Sequence, residues 1–208
     1  MGWWNERVVP RVVDKALKGK ETGVLRDRVC AGLHGRVLEV GFGGGLNIRS
    51  YPPEVTAVDA VEPSALGWEL SERRRARTPL PIERVGLDGE RLEAEDATYD
   101  GALVTFTLCT IPDAVAALRE VRRVLKPGAG VHFLEHGLAD DPKVAVWQRR
   151  LDPIQRRLAG GCHLTRDPAA LAGQAGLEVV ALERFRLPDG AAPWAAGYLG
   201  RAVRQPAG

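Results

Sequence analysis

Residues 36–47 read RVLEVGFGGGLN. Val37-Leu38-Glu39-Val40 is an apolar run broken by one carboxylate, and glycine follows at 41, 43, 44 and 45. An apolar run that stops abruptly in glycines predicts a buried strand entering a tight turn. Glycine reaches positive φ and carries no side chain, so a ligand can touch the backbone there. A helix beginning near Leu46 would aim its free N–H groups at the same spot. The stretch therefore predicts the floor of a nucleotide-type site. The plainer reading is a Gly-rich surface turn. The strand that leads in and the acidic residue that follows at suitable spacing favour the site.

Outward from this stretch the chain alternates. Val8, Val9, Val12, Val13, Ala16 and Leu17 form an apolar stripe within a helical stretch expected over 6–33, with Pro10 tolerable at a helix start. Strands are expected at 36–40, 55–61, 82–85, 101–106, 130–134, 177–185 and, last, 198–203. Helices are expected from 46 to about 51, through Trp68 to about 77, and at 113–125, 144–158 and 169–175. Lys126-Pro127-Gly128 is a helix stop, and 204–208 is read as a tail. Such alternation implies a doubly wound, mostly parallel seven-stranded sheet with helices on both faces. Ligands in these α/β sheets sit beyond the carboxyl ends of the strands. Those ends are 41–45, Glu62, Asp88-Gly89, 105–108 and Glu135-His136. No repeat or low-complexity linker interrupts the chain, so a single domain over 1–208 is expected. Residues 1–34 would form a helical lid or cap, 35–136 a cofactor-binding half and 137–208 a substrate-side half. Trp3 and Trp4 would cover the site or pack as core, with core packing favoured.

The 208 residues are 45% hydrophobic and 27% charged, enough for a real core, and the net charge of +2 gives no argument for nucleic acid. The three cysteines, Cys30, Cys109 and Cys162, are too far apart for a disulfide framework or a C-x-x-C metal pair. No His/Cys/Asp group has metal-ligand spacing, so no metal is expected. A reducing, cytoplasmic setting follows from the cysteine usage. No apolar run approaches 18 residues, and none is expected to span a membrane. Monomer and homodimer are both open.

Three nucleotide readings compete for the glycines. A P-loop needs Lys after them, and none follows. A dinucleotide fold wants a small residue where Leu46 stands, because a large side chain obstructs helix–strand packing there. Gly41-x-Gly43-x-Gly45 preceded by Glu39 fits the third. On that motif the chain resembles class I S-adenosylmethionine-dependent methyltransferases, and the resemblance implies their Rossmann-like fold. By it, S-adenosylmethionine would lie against Glu39, Gly41, Phe42, Gly43, Gly45 and Asn47, leaving as S-adenosylhomocysteine. Glu62, followed by Pro63, is similar to the acid that grips both ribose hydroxyls, and a carboxylate suits that role because it accepts two hydrogen bonds. Asp59 is the rival for that role, otherwise a solvent-facing position. Asp88-Gly89-Glu90-Arg91-Leu92 resembles the family's adenine-reading turn. Thr105, Phe106 and Thr107, after the fourth strand, complete the cofactor set. Residues 118–128 match the family's helix before strand five, a structural stretch.

The second half is similar to methyltransferase-like thiol S-methyltransferases of animals and their bacterial relatives. The resemblance rests on Leu134-Glu135-His136, Trp147-Gln148, Leu151-Asp152-Pro153, 161–166, Pro193-Trp194 and Gly197-Tyr198. Animal members carry an N-terminal membrane-anchoring segment, whereas this chain starts polar. Methyl transfer from a sulfonium needs alignment of nucleophile, methyl carbon and leaving sulfur. A thiol ionises near neutrality and needs little help; an oxygen or nitrogen acceptor calls for a base of tuned pKa. His136 is the candidate base, or it caps the turn and orients Glu135. Leu108, His136, Trp147, Cys162 and His163 are the candidate substrate residues. Cys109 reads as a small buried residue near the cofactor, and Trp147 and Trp194 as either pocket wall or core. The expected activity is methylation of a small molecule, with a thiol first and a lipid amine or natural-product hydroxyl next. The alternatives are a non-catalytic cofactor-binding module and, disfavoured by Leu46, a nicotinamide oxidoreductase.

Overall fold

The computed structural model describes residues 3–188 and 190–206. Seven strands form one sheet: β1 (Gly35–Val40), β2 (Val55–Val61), β3 (Ile82–Gly86), β4 (Tyr99–Thr105), β5 (Leu125–His136), β6 (Glu178–Arg186) and β7 (Ala196–Val203). Their order is β3-β2-β1-β4-β5-β7-β6. The first five run parallel, and β7 is antiparallel to both neighbours. The expected mostly parallel, doubly wound sheet is what the chain forms. Chain order reverses at β1, whose neighbours are β2 and β4, so the glycines that follow β1 lie at the switch point.

Seven helices accompany the sheet among the described residues: α1 (Trp3–Arg7), α2 (Val9–Ala16), α3 (Lys20–Cys30), α4 (Ala65–Arg75), α5 (Ala114–Val124), α6 (Pro142–Leu158) and α7 (Pro168–Gln174). Successive strand residues point to opposite faces, and the core divides accordingly. Leu38, Val40, Ala102 and Val104 pack with Leu118, Val121 and Val124 of α5, while Val37 and Leu103 pack with Leu25, Val29 and Cys30 of α3. Each fully buried Leu or Val contributes roughly 1.5–3 kcal/mol, so these faces fix the sheet between its helices. Asp113, Asp141 and Asp167 cap α5, α6 and α7 by accepting backbone N–H groups.

Four expectations are corrected. The N-terminal helix is broken into α1, α2 and α3; Pro10 sits in the first turn of α2, and Gly19 precedes α3 in an extended conformation. No α-helix starts at Leu46. Residues 43–47 are successive turns leading to a single 3-10 turn, Ile48–Ser50, which Tyr51-Pro52-Pro53 ends at once. Gly41, Gly43 and Gly45 all have positive φ, and buried Asn47 is tied to β1, so the chain spends these residues on a loop. Trp3 and Trp4 are 70% and 49% exposed and do not pack as core. The strand-five start also moves: the chain passes from α5 straight into β5 at Leu125, through Gly128 at positive φ. The last two residues of the expected tail lie outside the described residues.

Candidate active site

The loop after β1 is held from three sides. Gly41 N–H donates to the Val61 carbonyl at 2.9 Å, tying the loop to the end of β2. A Cβ on Gly41 would lie 2.0 Å from Thr107 Oγ1, so only glycine lets the loop close on the turn after β4. Glu62 is buried, and its carboxylate accepts Gly43 N–H at 2.6 Å and Ser64 N–H at 2.7 Å. Its pKa is raised by burial and held back by those two N–H bonds. Pro63 is exposed between them. A Cβ on Gly43 would meet nothing within 4 Å. The loop thus presents open, side-chain-free backbone next to a carboxylate with two oxygens.

Beneath the loop lies a buried polar net. Asn47 Nδ2 donates to Glu39 Oε1 at 2.6 Å and to Thr105 Oγ1 at 2.9 Å. Arg26 donates to Asn47 Oδ1 at 2.6 Å and to Thr105 Oγ1 at 3.2 Å, and Tyr51 Oη–H donates to Glu39 Oε2. Burial pushes Glu39 up to about 7 against the opposing bonds from Tyr51 and Asn47. Arg26 also lies 5.6 Å over the ring of Phe106, a residue at φ +52. Sequence reasoning named Glu39, Asn47, Thr105 and Phe106 but missed Arg26 and Tyr51. Arg26 lies in α3, where one arginine among many carries no distinguishing signal. Phe42 is buried, 5.4 Å from the ring of Trp68.

Asp59 belongs elsewhere, and it is not the solvent-facing residue weighed in the sequence. Its carboxylate accepts from Arg36 at 2.7 Å and from Tyr99 Oη at 2.8 Å. Those residues line a cavity of about 310 Å³ that also reaches Leu92 and Val85. Asp88 is exposed, accepting Glu90 N–H at 2.8 Å in an Asx turn, and Gly89 fits against Val40.

At the ends of β4 and β5 three residues distant in sequence meet. His136 Nε2 lies 3.1 Å from Cys162 Sγ, and the ligand atoms of Cys109, His136 and Cys162 lie within 4.8 Å of one another. The turn bearing Cys109 is pinned by Glu135, whose Oε1 accepts Thr107 N–H at 2.8 Å and Leu108 N–H at 3.1 Å. His163 N–H donates to the Cys109 carbonyl at 2.8 Å, bringing the segment after α6 onto the same turn. Cys162 is lowered by the hydrogen bond from Cys109, with His136 acting the same way, while Cys109 is raised. Burial pulls His136 down, but Cys162 and Glu135 more than reverse it and leave it raised. Glu135 is fully buried, pushed by that burial up to about 7, and its Oε2 has no partner among the described residues.

The structure brings Leu108, His136 and Cys162 together and turns two candidate side chains elsewhere. Trp147 is exposed on α6 beneath Arg150, and the His163 ring is 3.6 Å from Asp152. The absence of metal-ligand spacing in the linear sequence said nothing of Cys109, His136 and Cys162, which only the fold makes neighbours. Glu135 was seen as a strand end, as part of the resemblance and as a partner for His136 to orient, but not as the residue that pins the Cys109 turn.

A family model described as a methyltransferase domain matches residues 38–133. The chain is 33% identical over 176 residues to the thiol S-methyltransferase TMT1B of Rattus norvegicus, covering 81% of this chain and 70% of that one. It is 34% identical over 160 residues to the human thiol S-methyltransferase TMT1A, covering 73% and 64%. The chain belongs to the class I S-adenosylmethionine-dependent methyltransferases. A solved S-adenosylmethionine-dependent methyltransferase of Thermotoga maritima shares the fold, with a TM-score of 0.69 at 18% identity, over 97% of this chain and 98% of that one. The cofactor of this methyltransferase is therefore S-adenosylmethionine, and the open loop fits it: unobstructed backbone at Gly43 and a bidentate acceptor at Glu62 suit a nucleoside bearing an amino-acid tail. Among the described residues no helix is long and apolar enough to cross a membrane.

Proposed function

We propose that this methyltransferase transfers a methyl group to the sulfur of a small-molecule thiol. The His136–Cys162 pair, at 3.1 Å and close to Cys109 on the turn that Thr107 opens, carries the reading. It puts a proton-accepting, sulfur-lined spot next to the glycine loop, and the two mammalian relatives named above are thiol S-methyltransferases. Bound S-adenosylmethionine supplies an activated methyl group on a sulfonium. The chain's own residues do the rest. Glu39, Gly41, Phe42, Gly43, Gly45, Asn47, Glu62-Pro63, Asp88-Gly89 and 105–107 hold the cofactor, with the Glu62 carboxylate turning from Gly43 N–H to the ribose hydroxyls. Leu108, His136 and Cys162 form the acceptor end, and the acceptor's proton leaves at the His136–Cys162 pair. A thiol of pKa about 8.5 needs only modest help to ionise at neutral pH.

Division of the domain into an N-terminal cap (1–34), a cofactor half (35–136) and an acceptor half (137–208) is supported by how α1 and α2 lie. Asp14 of α2 pairs with Arg74 at 2.9 Å, and Arg74 donates to the Gly44 carbonyl at 2.6 Å. At the other end Trp4 Nε1 donates to the Leu158 carbonyl at 2.8 Å. The cap thus bridges the loop and the end of α6.

The test is a panel of thiols, amines and phenols incubated with S-adenosylmethionine, following release of S-adenosylhomocysteine. Turnover of thiols is expected. Turnover of amines or phenols alone overturns the thiol reading. Absence of S-adenosylmethionine binding by calorimetry would favour a non-catalytic module.

A further inference from the structure

We propose that Cys109, His136 and Cys162 form a zinc site whose fourth position receives the acceptor thiol. The proposal rests on the thiol reading for the role of the site, though not for its existence. Zinc binds thiolate sulfur at about 2.3 Å and imidazole nitrogen at about 2.0 Å in a tetrahedron, so ligand atoms on one ion lie about 3.3–3.8 Å apart. The three atoms here lie within 4.8 Å of one another, and the His136–Cys162 separation is 3.1 Å. Little motion separates this arrangement from a coordination sphere. Two sulfurs and one imidazole are a zinc donor set, and three protein ligands leave a position open, as catalytic zinc sites do.

The surroundings are built for a fixed cluster. Each ligand comes from a separate segment, and each segment is anchored by backbone hydrogen bonds. Glu135 Oε1 holds the Cys109 turn, and Cys162 N–H donates to the Ala159 carbonyl at 3.0 Å. His136 is the last residue of β5 and pairs in register with Gly197 of β7. The cysteines are buried, and His136 is half-buried. Charge also balances. Two thiolates neutralise one dication, and the guanidinium of Arg166, which donates to the Ile111 carbonyl at 2.6 Å, stands near both sulfurs. The placement suits the chemistry as well, because the turn that carries Cys109 begins at Thr107, the residue packed on Gly41.

On coordination the acceptor thiol gives its proton to solvent and becomes a thiolate. Its sulfur lone pair forms the new bond to the methyl carbon while the bond from that carbon to the sulfonium sulfur breaks. The products are a thioether, S-adenosylhomocysteine and the proton already released. The thioether, neutral and a weaker ligand, leaves the metal. His136 Nε2 is then committed to the ion, and the dication rather than the imidazole drives ionisation of the acceptor. A free thiol of pKa about 8.5 is roughly 3% ionised at pH 7, so complete ionisation raises turnover by about thirtyfold.

The experiment is cobalt(II) titration of the metal-stripped full chain, followed by thiophenol. One cobalt per chain is expected, with sulfur-to-cobalt charge transfer, intense tetrahedral visible bands and displacement by zinc. Thiophenol should add charge-transfer intensity. Cys162→Ser should abolish these bands, and Cys162→His should keep the metal with weaker charge transfer. Absence of cobalt binding by the wild type, or bands unchanged in both Cys162 variants, overturns the site. Thiol turnover by the stripped protein equal to that of the zinc-loaded protein overturns its role and leaves the thiol reading standing. Cobalt binding as described, with turnover of amines but of no thiol, keeps the site and overturns the thiol reading.

Discussion

Two buried polar groupings stand at the carboxyl edge of the sheet, and they are built in opposite ways. Around Glu39 the donors and acceptors face inward: Arg26, Asn47, Thr105 and Tyr51 satisfy one another and the carboxylate. Around Cys109, His136 and Cys162 the polar atoms converge on a point, with few partners beyond themselves. Among the described residues each grouping leaves one buried atom unpaired, Arg26 Nε in the first and Glu135 Oε2 in the second. The first grouping is a scaffold, whose mutual hydrogen bonds shape the backbone loop above it. The second presents side-chain atoms for contact. The difference predicts that cuts in the first are read in stability and cuts in the second in activity.

The largest expected effect is on the scaffold. Arg26→Ala removes the donor to Asn47 and the cation beside buried Glu39. Losing one member of a buried charged network costs about 3–5 kcal/mol, read by denaturant unfolding. His136→Ala should cost less than half as much, since its polar partner is Cys162 alone. Equal costs would dissolve the distinction.

Next comes the pH dependence of that scaffold. The Glu39 carboxyl titrates near 7 in the fold and near 4.5 when unfolded. The folded state therefore binds the proton more tightly. Its contribution is fully present below pH 4.5 and is lost as the pH rises through 7. A shift of that size is worth about 3 kcal/mol. Glu39→Gln should remove that share of the falling slope in stability between those values. Glu135, raised to the same degree, retains its own share. The slope should therefore become shallower without vanishing, and an unchanged slope would mean that Glu39 stays ionised throughout.

Much of this was legible in the sequence. The alternation of strands and helices, the strand ends and the Glu39–Asn47 stretch are local patterns: apolar periodicity, glycines, one acid. The position of Glu62 at the end of β2, beside the glycine loop, was also legible. What escaped were long-range meetings. Arg26 reaches Asn47 across 21 positions, and Cys162 reaches His136 across 26. A hydrogen bond between distant residues leaves no period in the chain. The helix expected at Leu46 failed for a different reason. A loop with three positive-φ glycines and a Pro-Pro stop offers too few residues to propagate a helix.

A smaller contrast lies within the glycine loop. Gly41→Ala meets both positive φ and the Thr107 side chain, whereas Gly43→Ala meets positive φ and open space. The first should lose about 2–3 kcal/mol of stability, and the second about 1 kcal/mol. The order reverses for the ligand relative to fold loss. If the proposed cofactor placement holds, Gly43→Ala fills the space of S-adenosylmethionine, and calorimetry should show at least a tenfold weaker affinity on a protein that still folds.

The smallest effect tests the cap. Asp14 and Arg74 are partly exposed, so their pair is worth about 0.5–1 kcal/mol in stability. Arg74 does more than Asp14, since it also donates to the Gly44 carbonyl on the loop. Asp14→Ala should leave melting nearly unchanged but speed dissociation of S-adenosylmethionine severalfold, because α2 then loses its tie to the loop. Arg74→Ala should do the same more strongly, and Asp14→Ala added to it should change nothing further. Stopped-flow displacement of the cofactor reads all three. Full additivity would show that the two residues act separately. A dissociation rate unmoved by Asp14→Ala would mean that α2 rests on the loop without holding it shut.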